Sequence, residues 1–275
     1  MATAYQRPIA ATLEERVAER PRRIQIVTGP RQVGKTTLVR RLLAQRPSGS
    51  GAYFATDQPA WPITLGDAFR PEGSTARVIA ARPDTEWLVE TWGRATQAAL
   101  SWAMELGPKN NAHTTHPYFV LAIDEIQKIP GWSETIKGLW DANVAGGTPL
   151  HLVLLGSSPL LMQRGLTESL AGRHEIIPMR HWTFTEMSDA FGLDLDRYIF
   201  FGGYPGAVEY TANQDRWRDY VRDSLVQPNI ERDILQMTRV DKPALLKHLF
   251  ELGCAYSRQI VPLDKTVCTH REAGN

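Results

Sequence analysis

The residues best suited to chemistry lie at positions 29–37, which read Gly-Pro-Arg-Gln-Val-Gly-Lys-Thr-Thr. They match G-x-x-x-x-G-K-[ST], the pattern of a loop whose backbone N–H groups surround phosphate groups. An apolar, β-branched run over 24–28 precedes the loop and a helical run over 35–46 follows it, as this pattern requires. The segment therefore predicts binding of a nucleoside triphosphate.

Individual roles within this loop follow from residue type. Lys35 supplies a mobile positive charge for the β- and γ-phosphates, and Thr36 offers a hydroxyl group to Mg²⁺. The N-terminus of the following helix adds partial positive charge. The residues predicted to contact the nucleotide are Gly29, Pro30, Arg31, Gln32, Val33, Gly34, Lys35, Thr36 and Thr37.

Two adjacent acids end the apolar segment 118–125, which reads Tyr-Phe-Val-Leu-Ala-Ile-Asp-Glu. Packing alone gives a buried strand no reason to end in paired carboxylates. We expect Asp124 to bind Mg²⁺ and Glu125 to orient and deprotonate an attacking water molecule. The alternative is that both acids simply begin a solvent-exposed loop. The sequence has no Asn-Lys-x-Asp motif of the kind that reads guanine in GTPases, which favours ATP as the nucleotide.

Two further positions are candidates for assisting hydrolysis. Ser157 follows the apolar run 151–156, where its hydroxyl is placed to bond the γ-phosphate or the attacking water, although Ser and Gly also form ordinary turns. Arg173 precedes the run 174–178, the position at which ring-forming ATPases carry an arginine that reaches a neighbouring subunit's γ-phosphate. A surface arginine near a helix C-terminus is the alternative, and Arg164 is the second candidate for this role.

The elements that must position these residues alternate along the chain. Apolar runs typical of buried parallel strands recur at 24–28, 52–55, 118–123, 150–156 and 175–178. Helical patterns between them lie at 35–46, 86–105 and 132–143. This alternation predicts an α/β domain with a largely parallel sheet.

The character of the sequence changes near residue 190. Strand signals stop there, and helical patterns follow at 194–201, 213–237 and 242–256. We therefore predict an ATPase core over 1–190 and a smaller helical region over 191–275. Residues 56–84 are rich in Pro and Gly and read as a long loop.

Composition mainly excludes classes of protein. The 275 residues are 43% hydrophobic and carry a net charge of +1, so no overall basic surface argues for nucleic acid. The two cysteines have no metal-ligand spacing and suggest a reducing compartment. Neither a signal sequence nor a membrane-spanning run is evident, so we expect a cytoplasmic protein without a membrane partner.

Four motifs taken in order resemble those of one family. They are Gly-Pro-Arg-Gln-Val-Gly-Lys-Thr-Thr, Ile-Asp-Glu-Ile-Gln-Lys-Ile-Pro-Gly-Trp, Leu-Leu-Gly-Ser-Ser and Leu-Ala-Gly-Arg. The chain resembles the prokaryotic AAA-type P-loop ATPases with a C-terminal domain of unknown function, which are related to archaeal and signal-transduction ATPases. The resemblance implies a core of five parallel strands, with Lys35, Thr36, Asp124, Glu125 and Ser157 in the roles argued above.

The resemblance also bears on the C-terminal region. In the signal-transduction relatives a Gly-x-Pro motif in a helical lid contacts adenine. The resemblance therefore implies that Pro205, in Gly203-Tyr204-Pro205, contacts the base. The alternative is that this segment is only a turn between helices. Relatives usually continue into a winged-helix-like region. The last dozen residues here are polar, so we expect a truncated version of that region and no nucleic-acid partner.

These observations leave three hypotheses for function. The first is Mg²⁺-dependent hydrolysis of ATP to ADP and phosphate, with Arg173 acting across a homo-oligomer interface. The second is a signalling switch in which the position of the lid depends on whether ATP or ADP is bound. The third is a truncated ATP-binding protein with little or no turnover.

Overall fold

The computed structural model describes residues 5–56, 83–110, 116–157, 162, 165–167, 169–228, 249–254 and 256. The strands are β1 (Ile24–Thr28), β2 (Gly51–Ala55), β3 (Phe119–Asp124), β4 (Leu150–Gly156) and β5 (His174–Pro178). The main helices are α1 (Ile9–Ala18), α2 (Lys35–Ala44), α3 (Thr85–Asn110), α4 (Trp132–Gly146), α5 (Phe184–Phe191), α6 (Leu195–Phe201) and α7 (Gln214–Tyr220). Short 3₁₀ turns cover Ile126–Lys128 and Pro205–Tyr210, and α7 continues as a wider turn over Val221–Val226.

Within the described residues the five strands form one parallel sheet in the order β2-β3-β4-β1-β5. The α/β prediction and the five-stranded parallel sheet are confirmed. Because parallel strands end at the same edge, the loops after β1, β3 and β4 all leave the sheet on one side.

Both faces of β1 to β4 are covered, which explains why these strands consist of continuous apolar runs. The edge strand β5 differs from the buried strand predicted there, since of its apolar side chains Ile177 is buried and Ile176 is exposed. On β1, Ile26 belongs to one buried cluster and Val27 to the other, as expected when successive side chains point to opposite faces. The first cluster includes side chains of α3 and α4, and the second includes side chains of α1 and α2. The sheet edge that carries the phosphate loop is therefore anchored from both sides.

Several helices differ from the sequence prediction. Helix α3 continues to Asn110, with a non-helical backbone at Gly107. Helices α1 and α5 were not predicted. Helix α5 begins with a capping box in which Thr183 and Glu186 satisfy each other's backbone N–H groups.

The chain groups into two compact units, Met1–Val208 and Glu209–Asn275. Helices α5 and α6 thus group with the sheet, whereas the sequence placed a division at 190; that division stays a prediction. Most of the predicted 56–84 loop, Arg164, most of the predicted helix 242–256 and the terminal region expected to be winged-helix-like lie outside the described residues. No helix in the described ranges is long and apolar enough to cross a bilayer.

Candidate nucleotide site

The phosphate loop joins the end of β1 to the start of α2, as the sequence predicted. Gly29 packs so closely on the chain after β5 that a Cβ there would lie 1.9 Å from the carbonyl oxygen of Met179. Gly34 has a φ of 95° and Gln32 a φ of 61°, so both adopt left-handed backbone conformations. Gly34 adopts this conformation without strain because it has no Cβ, whereas Gln32 is strained. Backbone strain of this kind is concentrated at functional sites.

Lys35 lies at the first position of α2 and is almost fully buried. Its Nζ atom donates hydrogen bonds to the carbonyl oxygens of Gly29 (2.8 Å) and Pro30 (2.6 Å). A buried ammonium group needs such acceptors, and the oxygens of a phosphate group offer stronger ones. The arrangement keeps the Lys35 charge inside the loop.

Of the remaining loop residues, Val33 is buried, Arg31 is half-buried and Thr37 is exposed in the first turn of α2.

Asp124 at the end of β3 faces the loop. The Thr36 hydroxyl donates to Asp124 Oδ2 across 2.6 Å, and the backbone N–H of Glu125 donates to Oδ1 across 2.9 Å. A hydroxyl and a carboxylate beside a phosphate loop form the hard-oxygen donor set that Mg²⁺ prefers, with the other positions left to water and phosphate. The residues present therefore fit Mg²⁺.

A third group on Asp124 was not anticipated from the sequence. Tyr53, on β2, donates its hydroxyl to the same Oδ2 atom across 2.6 Å. Burial, followed by the Asp124 carboxylate, raises the pKa of Tyr53, so the phenol remains a donor at neutral pH. The Arg40 guanidinium lies 4.6 Å from the centre of its ring. Nothing in the pattern of β2 distinguishes this tyrosine from a core residue.

Glu125 follows with a left-handed backbone, at a φ of 55°. Its Oε2 atom accepts hydrogen bonds from Ser157 Oγ (3.0 Å) and Gln127 Nε2 (2.6 Å), and Lys128 Nζ lies 3.9 Å away. The Thr56 hydroxyl bonds the Glu125 carbonyl oxygen across 2.8 Å. The ends of β3 and β4 thus bring the predicted acid and the predicted hydroxyl together.

Arg173 lies at the opposite edge of the sheet. Its carbonyl oxygen accepts the N–H of Ile24 at the start of β1, whereas the phosphate loop follows the end of that strand. Five residues of strand span about 17 Å. Its guanidinium pairs with Asp141 of α4 through two bonds of 2.7 and 2.9 Å. The structure therefore does not bring Arg173 to the loop of its own chain.

A cavity of about 420 Å³ opens beside the loop, lined by residues 28–30, 178–183 and Tyr198. Pro205 does not line it, but its neighbours contact the wall. The Gly203 carbonyl accepts the N–H of Trp182 across 3.1 Å, and the Tyr204 ring meets His181 edge-on at 4.6 Å. The Gly203-Tyr204-Pro205 segment is therefore seated on the cavity wall.

Two family models match the chain. An AAA domain matches residues 93–188, and a domain of unknown function matches residues 192–265. The first match begins after the phosphate loop, so the loop is identified by its own pattern and geometry. The junction between the matches lies close to the predicted boundary at 190.

Two curated relatives of this chain are described as uncharacterized proteins. These two proteins, from Mycobacterium bovis and Mycobacterium tuberculosis, are each 26% identical over 257 residues, which is 93% of this chain. The chain spans 45% of the length of these relatives.

Solved structures give distant similarities in fold. A Walker-type ATPase of Pyrococcus abyssi has a TM-score of 0.46 at 17% identity, covering 93% of this chain and 77% of that one. The Pif1 helicase of Candida albicans has a TM-score of 0.35 at 16% identity, covering 72% and 44%. Neither is close enough to carry a functional argument. The chain thus combines a phosphate loop and a parallel sheet with a partial match to an AAA domain, and its C-terminal region matches a domain of unknown function.

Proposed function

We propose that the chain is a Mg²⁺-dependent ATPase that converts ATP to ADP and phosphate and uses the change to alter its conformation. One observation carries the proposal. Asp124 reaches Thr36 of the phosphate loop while Glu125, the next residue, is held by Ser157. Asp124 is a buried carboxylate bonded to the loop, and Glu125 is a second carboxylate that is partly accessible. Hydrolysis needs both groups, whereas nucleotide binding alone does not need the second.

Each residue has a distinct task in this mechanism. Lys35 and the loop N–H groups bind the β- and γ-phosphates, and Asp124 and Thr36 hold the metal. Bound Mg²⁺ neutralises negative charge on the phosphate oxygens. Glu125 accepts a proton from the attacking water, and Ser157 fixes the carboxylate in the orientation that this transfer requires.

Substitution of Glu125 tests this proposal. Glu125→Gln should bind ATP as tightly as the wild type but lower the rate of phosphate release by a factor of about 100 or more, since the amide cannot accept the proton. Glu90→Gln, an exposed glutamate on α3, is the matched control and should leave the rate unchanged. Equal turnover by Glu125→Gln would rule out the general base.

The cavity beside the loop is our proposed site for the base. Its apolar lining by Met179, Trp182 and Tyr198 suits a flat aromatic ring, and Pro205 would approach from the segment seated on the wall. We propose adenine as the base. Mg-ATP and Mg-GTP should therefore be compared in the same phosphate-release assay, with faster turnover expected for Mg-ATP.

A signalling switch is the second candidate. The observation that favours it is the contact between Gly203 and Trp182, which links the segment before the C-terminal unit to the wall of the cavity. Under this hypothesis ATP and ADP would give different protease-cleavage patterns while phosphate release stayed near background. A specific activity that rises with protein concentration would instead support an assembled ATPase. A cytoplasmic location and a homo-oligomer remain proposals of the same kind.

A further inference from the structure

Arg7 connects three parts of the phosphate site from a position outside the loop pattern. Its guanidinium binds both carboxylate oxygens of Glu186 on α5, at 2.8 and 3.1 Å. The Nη1 atom of the same group donates to the carbonyl oxygens of Val33 (3.3 Å) and Arg180 (3.2 Å). Each side chain of the Arg7–Glu186 pair is only 10% exposed. A single fork thus joins the N-terminal segment, the phosphate loop and the chain that follows β5.

Trp182 reaches the same carbonyl group. Its indole Nε1 donates to the Val33 oxygen across 3.0 Å, and the Arg7 guanidinium lies 5.2 Å from the centre of its ring. The Val33 oxygen therefore accepts two side-chain hydrogen bonds, which uses both of its lone pairs. Two donors approaching one carbonyl from different elements fix its direction more firmly than either would alone.

The direction of this carbonyl determines that of a neighbouring N–H group. The peptide unit that contains the Val33 oxygen also contains the nitrogen of Gly34. In a trans peptide the C=O and N–H bonds point in opposite directions, and no cis peptide occurs in the described chain. The Arg7 and Trp182 donors hold the oxygen on one side of the loop, so the Gly34 N–H is directed to the other.

Glu186 keeps the Arg7 fork in place. Its Oε2 atom also accepts the N–H of Thr183 across 2.9 Å as part of the α5 capping box. Burial alone would raise the pKa of Glu186, but the hydrogen bonds from Arg7 and Thr183 outweigh it and lower that pKa. Because the Arg7 charge is already matched by Glu186, Arg7 acts on the loop through geometry rather than through free charge.

We infer that Arg7 and Trp182 are positioning residues that orient the Gly34 N–H toward a bound phosphate group. The inference rests on the proposed nucleotide site and adds two residues that lie outside the loop motif. It also makes phosphate affinity depend on the N-terminal segment, because Arg7 lies just before α1.

The test is the affinity of fluorescent mant-ADP with Mg²⁺, measured for variants that each remove one donor. Arg7→Lys keeps the charge opposite Glu186 but loses the forked reach to Val33, and Trp182→Phe keeps a ring but loses the N–H. Each should raise the dissociation constant roughly five- to tenfold, about the effect of one hydrogen bond. In the double variant the dissociation constant should rise by less than the product of the two single increases, because both donors bond the same carbonyl.

Matched controls separate this role from simple structural support. Trp102→Phe removes an indole N–H that donates to the His116 carbonyl across 3.2 Å, away from the loop, and should not change affinity. Arg23→Lys is the matched control for arginine, since Arg23 is exposed and bonds its neighbour Arg22. The affinity for pyrophosphate, measured by competition with mant-ADP, should fall in Arg7→Lys and Trp182→Phe by the same factor as the affinity for mant-ADP. The two should fall together because the substitutions affect binding of the phosphate groups.

The outcomes distinguish this inference from the proposed hydrolysis. If the wild type binds mant-ADP and both variants bind it equally well at unchanged melting temperature, the inference is overturned while the ATPase proposal stands. If the wild type binds nucleotide but does not hydrolyse it, the ATPase proposal fails and the binding test of the inference still applies. Failure of the wild type to bind mant-ADP or pyrophosphate would overturn both. Should Arg7→Lys fold poorly, the affinity of Trp182→Phe for pyrophosphate decides, because pyrophosphate lacks the base that Trp182 is proposed to contact.

Discussion

The hydroxyl of Tyr53 lies 2.6 Å from the same carboxylate oxygen of Asp124 that accepts the Thr36 hydroxyl. One oxygen thus receives donors from β2 and from the phosphate loop. Since Tyr53 is buried and its ring is covered by Arg40, the phenol has little freedom to leave. Its hydroxyl fixes the rotamer in which Asp124 faces the proposed metal position.

Tyr53→Phe should therefore raise the Mg²⁺ concentration that gives half-maximal nucleotide binding by about ten- to a hundredfold, the usual effect of losing a hydrogen bond to a metal-binding carboxylate. The ring and its contact with Arg40 remain, so the melting temperature should change little. Tyr118→Phe removes a hydroxyl at the opposite edge of the sheet and serves as the control. An unchanged Mg²⁺ requirement in Tyr53→Phe would contradict this role.

Removal of the Ser157 hydroxyl should affect turnover rather than binding. Ser157→Ala takes away one of the donors that hold Glu125 Oε2, leaving the hydrogen bond from Gln127. We expect phosphate release to slow about tenfold with little change in the dissociation constant for ATP. Ser133→Ala, at a serine of α4 that bonds Ser169, is the control. A loss of ATP affinity with an unchanged rate would instead assign Ser157 to substrate binding.

Arg173 and Asp141 give a paired test of action between subunits. Arg173→Ala should lower the specific activity at high protein concentration and have no effect where the protein is dilute and monomeric, because this arginine lies at the wrong edge of its own sheet. Asp141→Asn removes the negative charge and one of the two oxygens that hold the guanidinium, and should not lower activity. Equal activity of Arg173→Ala and wild type at every concentration would return Arg173 to the role of a surface ion pair.

His151 should make the free energy of unfolding depend on pH. Burial lowers the pKa of His151 to about 4, and its Nε2 lies 2.8 Å from the Glu19 carbonyl oxygen. Below pH 6.5 the unfolded chain binds a proton that the folded chain does not. Stability should therefore fall between pH 6.5 and 4, by up to about 1.4 kcal/mol per pH unit from this group, and be unaffected by it above pH 6.5.

Urea unfolding of the wild type and His151→Gln at several pH values checks this. The difference between the two proteins should be constant above pH 6.5 and shift in favour of the variant as the pH falls. A constant difference down to pH 4.5 would show that the His151 pKa is close to normal in the folded protein.

The sequence predicted the local parts of the site because their chemistry is encoded in consecutive residues. The phosphate loop needs glycines at fixed spacing, and a strand ending in Asp124 and Glu125 is unusual without a functional reason. Both patterns can be recognised in the sequence without knowledge of the fold. The parallel sheet was predictable for the same reason, since strands buried on both faces read as uninterrupted apolar runs.

Residues that act across the fold could not be found in this way. Tyr53 is one aromatic residue in an apolar strand, and Arg7 is one of many arginines near the N-terminus. Their roles appear only when β2 is placed beside β3 and when Arg7 lies between Glu186 of α5 and the Val33 carbonyl. Arg173 shows the converse, because its position along the chain suggested a role in hydrolysis while the sheet directs it away from its own phosphate loop.

The order of the sheet also has a consequence for synthesis of the protein. Strand β1 is made before β4 and β5, yet in the described sheet it lies between them, where Gln25 is in register with Val153 and Glu175. At roughly 5–20 residues per second, a ribosome needs on the order of ten seconds to supply those partners. Until then the apolar β1 has no sheet to join, and the adjoining phosphate loop lacks the backbone of Met179 against which Gly29 packs. A nascent chain should therefore acquire affinity for nucleotide in one late step, after the segment around residue 180 has left the ribosome.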